Sequence, residues 1–313
     1  SFAKKEEMAY DLVHSHYWLS GWVAGRLKEQ WGIPWVHMYH TVGFINNSVM
    51  KPGEAKEPPV RLSMEADIGK DATRIIAPTP MEKANLIWGL GIPPEKIRVI
   101  PCGVDGELFR PVNPREARSR LGLGDGRFIL FVGRLTPVKG VDTLIRALSI
   151  LAMGKEGKFH DVRLLVVGGD QDNHDGDSGE LRARARSLDV ADRIVFCGPQ
   201  QQSILPLYYA SAAMCVLPSR HESFGMVALE AMACGKPVVA SNVGGLAFSV
   251  VNNETGVLVP EGDPVTLASR LSYLLEHPEI AQVLGERAAR RALNFRWPII
   301  GDRMIDLYCE LAQ

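Results

Sequence analysis

Two cations five positions apart follow an apolar run near the middle of the chain. The run ends at Gly133, and Arg134 and Lys139 then flank a short loop that contains Pro137. Ligands of open parallel sheets bind at the carboxyl ends of the strands. Two cations held across such a loop can clamp a diphosphate, arginine as a planar fork and lysine as a point charge. The pair alone fits two solvated surface cations equally well.

A second motif joins two carboxylates to the start of a helix. Glu222 comes just before the helical stretch Gly225–Ala233, Glu230 lies two turns into it, and Gly235 is a good C-terminal stop. The unpaired backbone N–H groups of a helix N-terminus form an anion site. The residues predicted to line this site are Ser223, Phe224, Gly225 and Met226.

The two carboxylates are expected to accept hydrogen bonds from ligand hydroxyls. A carboxylate at an anion site makes sense if Glu222 accepts hydrogen bonds from sugar hydroxyls beside a phosphate. Glu230 is flanked by apolar residues, and a carboxylate in such surroundings needs donors, which ribose hydroxyls would supply. The alternative is a structural helix cap followed by one exposed glutamate.

Short apolar runs alternate with stretches of helical period along the chain. Continuous apolar strands between helices predict parallel sheets covered on both faces. A linker rich in turn residues falls at Cys102–Pro114. The strands predicted before it are Asp11–His14, Trp35–Tyr39, Arg74–Pro78 and Ile97–Pro101. Those predicted after it are Phe128–Val132, Val162–Val167, Ile194–Cys197, Met214–Leu217, Pro237–Ala240 and Gly256–Val259.

Composition narrows the class of protein. With 313 residues, 46% of them hydrophobic, the chain can form two domains. A net charge of −1 gives no global attraction to nucleic acid, so no nucleic-acid partner is expected. Five scattered cysteines without a Cys-x-x-Cys pair argue against a zinc site or disulfide framework. Without a signal peptide or a long apolar run, the sequence predicts a cytoplasmic protein, leaving peripheral membrane contact and a homodimer open.

The chemical motifs closely resemble family 4 retaining glycosyltransferases of the GT-B fold. The resemblance covers nearly the whole chain from about Leu12, and its most specific part is Glu222 and Glu230 with seven residues between them. The motifs Gly133-Arg134, Lys139-Gly140, Val243-Gly244-Gly245-Leu246 and Asn253-Glu254-Thr255-Gly256 continue it. The resemblance implies an α/β fold with two Rossmann-like domains.

The same resemblance implies roles in donor binding. Glu222 would face the donor sugar, Glu230 would bind the ribose, and Arg134 and Lys139 would hold the diphosphate. No cofactor is implied, since the nucleotide sugar is a substrate, and UDP is the family's commonest nucleotide, with ADP and GDP as alternatives. No metal is expected, because the two cations and a helix dipole would stabilise the leaving group.

The N-terminal block looks most like the mycothiol-pathway inositol-phosphate N-acetylglucosaminyltransferases and the sucrose-phosphate synthases. That resemblance implies that Tyr17, Thr41 and Arg61 grip an acceptor phosphate and that His40 lies beside the donor sugar. An arginine with two hydroxyls is a sound phosphate pocket. The alternatives are a satisfied buried histidine at His40 and an ordinary surface arginine at Arg61.

The sequence predicts three segments with different roles. Residues 1–104 would form a partial acceptor-side domain, residues 105–293 the donor domain, and residues 294–313 a helix packing back on the first domain. Because only about four strands precede the linker and the family's first strand and glycine-rich turn are not found, we expect an incomplete N-terminal domain.

The resemblance implies a retaining hexosyltransferase that uses a nucleotide diphosphate sugar and a phosphorylated sugar or inositol acceptor. The alternative is a non-catalytic or truncated nucleotide-sugar-binding protein. An oxidoreductase on the same type of sheet is disfavoured, since no Gly-x-Gly-x-x-Gly follows a strand.

Overall fold

The computed structural model describes residues 9–50, 53, 55–154, 157–169 and 177–312. The chain divides into two compact units, Ser1–Cys102 together with Pro298–Gln313, and Gly103–Trp297. The domain limits expected from the sequence, at residues 104 and 293, stay a prediction.

The first unit is built on a four-stranded parallel sheet. Its strands are β1 (Val13–His16), β2 (Trp35–Met38), β3 (Arg74–Ala77) and β4 (Ile97–Val99), which lie side by side in chain order. Its helices are α1 (Tyr17–Trp31), α2 (Gly43–Val49), α3 (Pro59–Asp71) and α4 (Pro80–Leu90). All four residues of β2 are buried, as expected for a central strand with covered faces.

Local signals set the ends of α4. Thr79 caps its N-terminus by accepting a hydrogen bond from the Glu82 N–H at 3.0 Å, and Pro80 occupies the first turn. Gly91 ends the helix in the left-handed conformation, with φ of 65°.

The second unit contains a six-stranded parallel sheet. Its strands are β5 (Arg127–Val132), β6 (Val162–Val167), β7 (Ile194–Gly198), β8 (Met214–Leu217), β9 (Val238–Ser241) and β10 (Gly256–Val259). Their order across the sheet is β10-β9-β8-β5-β6-β7. The direction of winding therefore reverses between β5 and β8, and the carboxyl ends of these two strands form the crevice where doubly wound sheets bind ligands.

Helices cover both faces of this sheet. They are α5 (Pro114–Arg120), α6 (Val141–Met153), α7 (Asp177–Ser187), α8 (Leu205–Ser211), α9 (Met226–Ala233), α10 (Leu246–Ser249), α11 (Pro264–Glu276) and α12 (Pro278–Ala292). The main core lies between the sheet and α6, α11 and α12, with Ile129, Leu144, Val166 and Leu271 among its fully buried members.

The last helix, α13 (Trp297–Leu311), returns to the first unit. Ile300 and Leu307 pack with Val36, Met38 and Ile76 in one hydrophobic cluster. The α13 helix therefore covers a face of the N-terminal sheet.

The predicted α/β architecture with two parallel sheets is confirmed, and all ten strands lie where apolar runs indicated them, with small shifts. The main correction concerns β1, which spans Val13–His16 rather than Asp11–His14. Parallel pairing with β2 sets these limits, since His14 aligns with Val36 and His16 with Met38. Both histidines are therefore strand residues.

Candidate functional site

An ion pair occupies the crevice between β5 and β8. Lys139 lies in a 3-10 turn after β5, and its Nζ donates a hydrogen bond to Oε2 of Glu222 at 2.5 Å. Both side chains are about four-fifths buried, with exposed fractions of 19% and 22%. The fold thus brings together two predicted site residues that are 83 positions apart in the chain.

Backbone contacts hold the two loops of the crevice together. The Arg220 N–H donates to the Val138 carbonyl at 2.8 Å. A Cβ on Gly140 would meet the Pro218 carbonyl oxygen at 2.0 Å. Only a residue without a side chain allows this approach, so Gly140 sets the position of its neighbour Lys139.

A glycine pair supports the other side of Glu222. The Gly245 N–H donates to the Glu222 carbonyl at 2.7 Å. A Cβ on Gly244 would lie 2.2 Å from the same oxygen, and one on Gly245 would lie 2.3 Å from the Cα of Phe224. The Gly244-Gly245 motif therefore packs directly under the turn that carries Glu222.

The N-terminus of α9 opens beside Glu222. Gly225 precedes the helix with φ of 90°, and no side chain caps it. The Ala228 N–H bonds to the Gly225 carbonyl at 2.9 Å. The N–H groups of Met226 and Val227 have no acceptor among the described residues. They are free to bind an anion, as predicted for a helix start.

Other predicted donor residues contribute in different ways. Gly133 follows directly after β5, with φ of 150°. Arg134 is exposed, and its guanidinium forms no ion pair with the residues the structure describes. Ser223 is half-buried at the mouth of the crevice. Phe224 is buried against Phe248, so only its main chain can face a ligand.

His221 is a neighbour of the crevice that the sequence did not single out. Burial lowers its pKa, and nearby Lys139 lowers it further while Glu222 opposes the shift. The imidazole is therefore neutral at pH 7 and adds no positive charge to the crevice. The sequence signal that could have identified His221 is its position directly before Glu222.

Glu230 lies deeper in the same helix. Its side chain is 8% exposed, and Oε2 accepts a hydrogen bond from the Tyr209 hydroxyl at 2.8 Å. Burial raises the pKa of Glu230, and the hydrogen bond from Tyr209 opposes that rise. Sequence reasoning expected donors for this carboxylate but missed Tyr209, because the two residues are 21 positions apart on different helices.

In the first unit, the three predicted acceptor residues lie together. The Arg61 guanidinium lies over the Tyr17 ring, 5.0 Å from its centroid, and Nη2 donates to Thr41 Oγ1 at 2.9 Å. Arg61 is 4% exposed and pairs with Glu57 at 2.8 Å and with Glu65 at 2.7 Å. The alternative of an ordinary surface arginine is therefore wrong, and the guanidinium charge is already balanced by carboxylates.

His40 belongs to a group of histidines at the ends of β1 and β2. Its Nε2 lies 2.8 Å from His16 Nδ1, and the His16 ring lies 4.2 Å from that of His14. His40 is exposed, so the alternative of a buried histidine is wrong. Partial desolvation still lowers the pKa of His40, and the charge of His16 adds to the effect. The His40 backbone has φ of 62°, and Tyr17 has φ of 69°, a strained conformation typical of functional sites.

The described residues contain neither a candidate metal centre nor a helix that could span a membrane. No group of three or more His, Cys, Asp or Glu side chains in that part of the chain is arranged to hold a metal ion. No helix within the same residues is long and apolar enough to cross a membrane.

Two family models match the chain. Residues 114–291 match the model described as glycosyl transferases group 1, and residues 2–108 match the one described as glycosyltransferase family 4. The first match contains every residue of the crevice between β5 and β8, and the second contains Tyr17, His40, Thr41 and Arg61.

Curated relatives agree with these matches. The D-inositol 3-phosphate glycosyltransferase of Acidothermus cellulolyticus is 39% identical over 307 residues, which covers 98% of this chain and 68% of the relative. An enzyme of the same name from Kineococcus radiotolerans is 38% identical, over 99% of this chain and 74% of the relative. These names favour a transferase over a protein that only binds nucleotide sugars.

Solved structures share the fold. The sucrose-phosphate synthase from Thermosynechococcus elongatus is 36% identical with a TM-score of 0.88, covering 99% of this chain and 76% of that one. HepE from Anabaena, solved in complex with UDP and glucose, has a TM-score of 0.84 over 96% of this chain and 78% of its own. At 23% identity, HepE shows the fold alone.

Proposed function

This chain belongs to the group 1 glycosyl transferases, and we propose that it transfers a hexosyl group from a nucleoside diphosphate sugar to a phosphorylated inositol or sugar, with retention at the anomeric carbon. UDP is the first nucleotide to test. The observation that carries the proposal is the pairing of Lys139 with Glu222 beside the uncapped N-terminus of α9.

The donor diphosphate would bind where positive groups converge. Lys139 supplies a point charge, and the free N–H groups of Met226 and Val227 supply directed donors. Arg134, exposed on the same loop as Lys139, would add a planar fork. Glu222, held at 2.5 Å from Lys139, would accept hydrogen bonds from the sugar.

The reaction would proceed as a displacement on one face of the sugar. The bond from the anomeric carbon to the diphosphate oxygen breaks, and the bond to the acceptor oxygen forms on the same side. The acceptor proton passes to the departing diphosphate oxygen. Lys139, Arg134 and the helix N-terminus would stabilise the negative charge that develops on the leaving group, which is the usual main source of catalysis in such sites.

The acceptor assignment rests on the relatives' names and on Arg61. Relatives 38–39% identical are named for inositol 3-phosphate, and the 36% identical structure for sucrose phosphate. Tyr17 and Thr41 lie against Arg61 and would add hydroxyls to a phosphate site. Since Glu57 and Glu65 already balance the Arg61 charge, these hydroxyls would carry much of the recognition. His40 is proposed to act beside the donor sugar.

Transfer from radiolabelled UDP-glucose or UDP-N-acetylglucosamine to D-inositol 3-phosphate or to hexose phosphates tests the proposal. Lys139→Ala and Glu222→Ala should each lower kcat by about 10²–10³-fold, the usual effect of removing one preorganised electrostatic group. Lys158→Ala is the matched control, because it breaks an ion pair with Glu276 in the same unit away from the crevice. Full activity in either test variant would contradict the assignment.

A further inference from the structure

Tyr209 and Glu230 form a buried contact beneath the crevice. The Tyr209 side chain is wholly buried, and its hydroxyl donates to Glu230 Oε2 at 2.8 Å. Its ring packs edge-on against Phe109, with centroids 6.1 Å apart. The hydroxyl is therefore held in one place by surrounding core residues.

Among the residues the structure describes, Tyr209 is the one hydrogen-bond donor to the Glu230 carboxylate. The other titratable groups close to the carboxylate are the thiols of Cys215 and Cys234. Burial raises the pKa of both thiols, that of Cys234 to about 12, so both are neutral at pH 7. No cation pairs with Glu230 among the described residues. A buried carboxylate without a cation depends on hydrogen bonds for its orientation and charge.

The two oxygens of Glu230 have different surroundings. Oε2 accepts the hydrogen bond from the Tyr209 hydroxyl. Oε1 has no hydrogen-bond partner in the described part of the chain, and it is not fully buried there. Oε1 therefore reaches the surface of the unit, where a ligand can approach it.

We propose that Tyr209 is a positioning residue for the donor nucleotide: its hydroxyl holds Glu230 Oε2, which turns Oε1 toward the ribose hydroxyls. The inference rests on the proposed role of Glu230 in ribose binding. It assigns to Tyr209 an action through Glu230, with no contact of its own to the nucleotide.

The test measures how strongly the protein prefers a ribose that carries its hydroxyls. Dissociation constants of UDP and of 2′,3′-dideoxy-UDP are measured by calorimetry. The ratio compared among variants is the dissociation constant of the dideoxy analogue divided by that of UDP. It isolates the ribose contribution because base and diphosphate are common to both ligands. If UDP does not bind, ADP or GDP is used with its own dideoxy analogue. Hydrogen bonds from hydroxyls to a carboxylate should make the wild-type ratio roughly 10–100-fold.

Tyr209→Phe removes the hydroxyl and keeps the ring. We expect its ratio to fall by roughly 3–10-fold while its affinity for the dideoxy analogue stays at the wild-type value. Glu230→Gln should lower the ratio as well. Because Tyr209 acts through Glu230, adding Tyr209→Phe to Glu230→Gln should cause no further fall, whereas two independent effects would add.

Tyr208→Phe is the matched control. It removes a neighbouring buried hydroxyl from the same helix, one that bonds to Cys197 instead of Glu230. Its ratio should equal the wild-type ratio, and thermal unfolding should show that all variants are folded.

The outcomes separate this inference from the function on which it rests. A lowered ratio in Glu230→Gln with a wild-type ratio in Tyr209→Phe overturns the positioning role and leaves ribose binding by Glu230 intact. Additive losses in the double variant overturn it as well. A wild-type ratio of one, unchanged in Glu230→Gln, overturns the ribose role of Glu230 and this inference together.

Discussion

A Cβ atom on Gly140 would lie 2.0 Å from the carbonyl oxygen of Pro218, because the loop that carries Lys139 packs directly on the chain leaving β8. Gly140 also has φ of 67°, in the left-handed region that favours glycine. Two independent requirements at one residue therefore fix the distance between the loops, and with it the pairing of Lys139 with Glu222.

We expect Gly140→Ala to lower kcat/KM for the donor by at least about 10-fold, since a strained backbone position costs about 1–3 kcal/mol and any relief of the clash moves Lys139. Steady-state kinetics with varied UDP-sugar measures the effect. Gly124→Ala is the control, because a Cβ there meets nothing within 4 Å and its φ is not positive. Wild-type kinetics in Gly140→Ala would show that the loops can separate without loss.

Acid should weaken the first unit through its buried histidines. Burial lowers the pKa of His37 to about 3 and that of His14 to about 4. Histidines of the unfolded chain bind protons near pH 6.5. Between pH 6.5 and the folded-state pKa values, the unfolded state therefore holds more protons than the folded state. The free energy of unfolding should therefore fall as pH drops below 6.5, by about 1.4 kcal/mol per pH unit for each histidine.

Hydrogen exchange of the β2 amides between pH 7 and pH 4.5, corrected for intrinsic rates, measures this loss. His37→Asn should make the loss of protection with falling pH smaller, because it removes one of the two buried imidazoles. The His37 side chain is 0% exposed, and its Nδ1 lies 2.8 Å from Ser15 Oγ. His160→Asn, at an exposed position in the other unit, should leave it unchanged. An equal slope in wild type and His37→Asn would show that His37 does not contribute.

Glu82 should have the opposite pH dependence. Its side chain is buried in the first turn of α4, Oε1 has no partner among the described residues, and burial raises its pKa to about 8. The folded state therefore keeps a proton that the unfolded state releases above pH 4.5. This contribution to stability is fully present below pH 4.5 and is lost as pH rises toward 8.

We expect Glu82→Gln to be more stable than wild type at pH 8.5 and close to it at pH 4.5, because glutamine cannot ionise. Urea unfolding at the two pH values measures the difference. Glu95→Gln, at an exposed position of the same unit, is the control and should show no such pattern. A difference that is equal at both pH values would indicate a packing effect instead.

The acceptor role of Tyr17 can be tested without disturbing Arg61. Tyr17→Phe keeps the ring under the Arg61 guanidinium and removes the hydroxyl. We expect the KM for the phosphorylated acceptor to rise about 2–10-fold, the effect of one hydrogen bond, with the donor KM unchanged. Removing Arg61 itself would leave Glu57 and Glu65 unpaired in a buried site and cost about 3–5 kcal/mol of stability.

Tyr10→Phe is the control for this prediction, because Tyr10 has nearly the same exposure, 38% against 36%, and stacks on Trp31. An unchanged acceptor KM in Tyr17→Phe, or a rise in the donor KM alone, would remove Tyr17 from the proposed acceptor site.

Much of the second unit could be predicted from the sequence. Runs such as Phe128–Val132 are apolar without alternation, because both faces of a parallel strand are buried, and the structure places β5 at Arg127–Val132. The helix start at Gly225 and the stop after Ala233 were also readable, since backbone conformation there depends on glycine. Local sequence therefore determined the elements and the fact that Lys139 and Glu222 follow strand ends.

Which side chains meet was decided by the tertiary structure. Tyr209 reaches Glu230 across two helices, Lys139 reaches Glu222 over 83 positions, and His16 meets His40 because β1 and β2 are neighbours. Periodicity fixes the face of an element but not the partner of a particular atom, which depends on how elements pack. The sequence alone thus determined a parallel α/β chain with a diphosphate motif. Only packing showed that the Arg61 charge is already balanced and that a tyrosine hydroxyl holds Glu230.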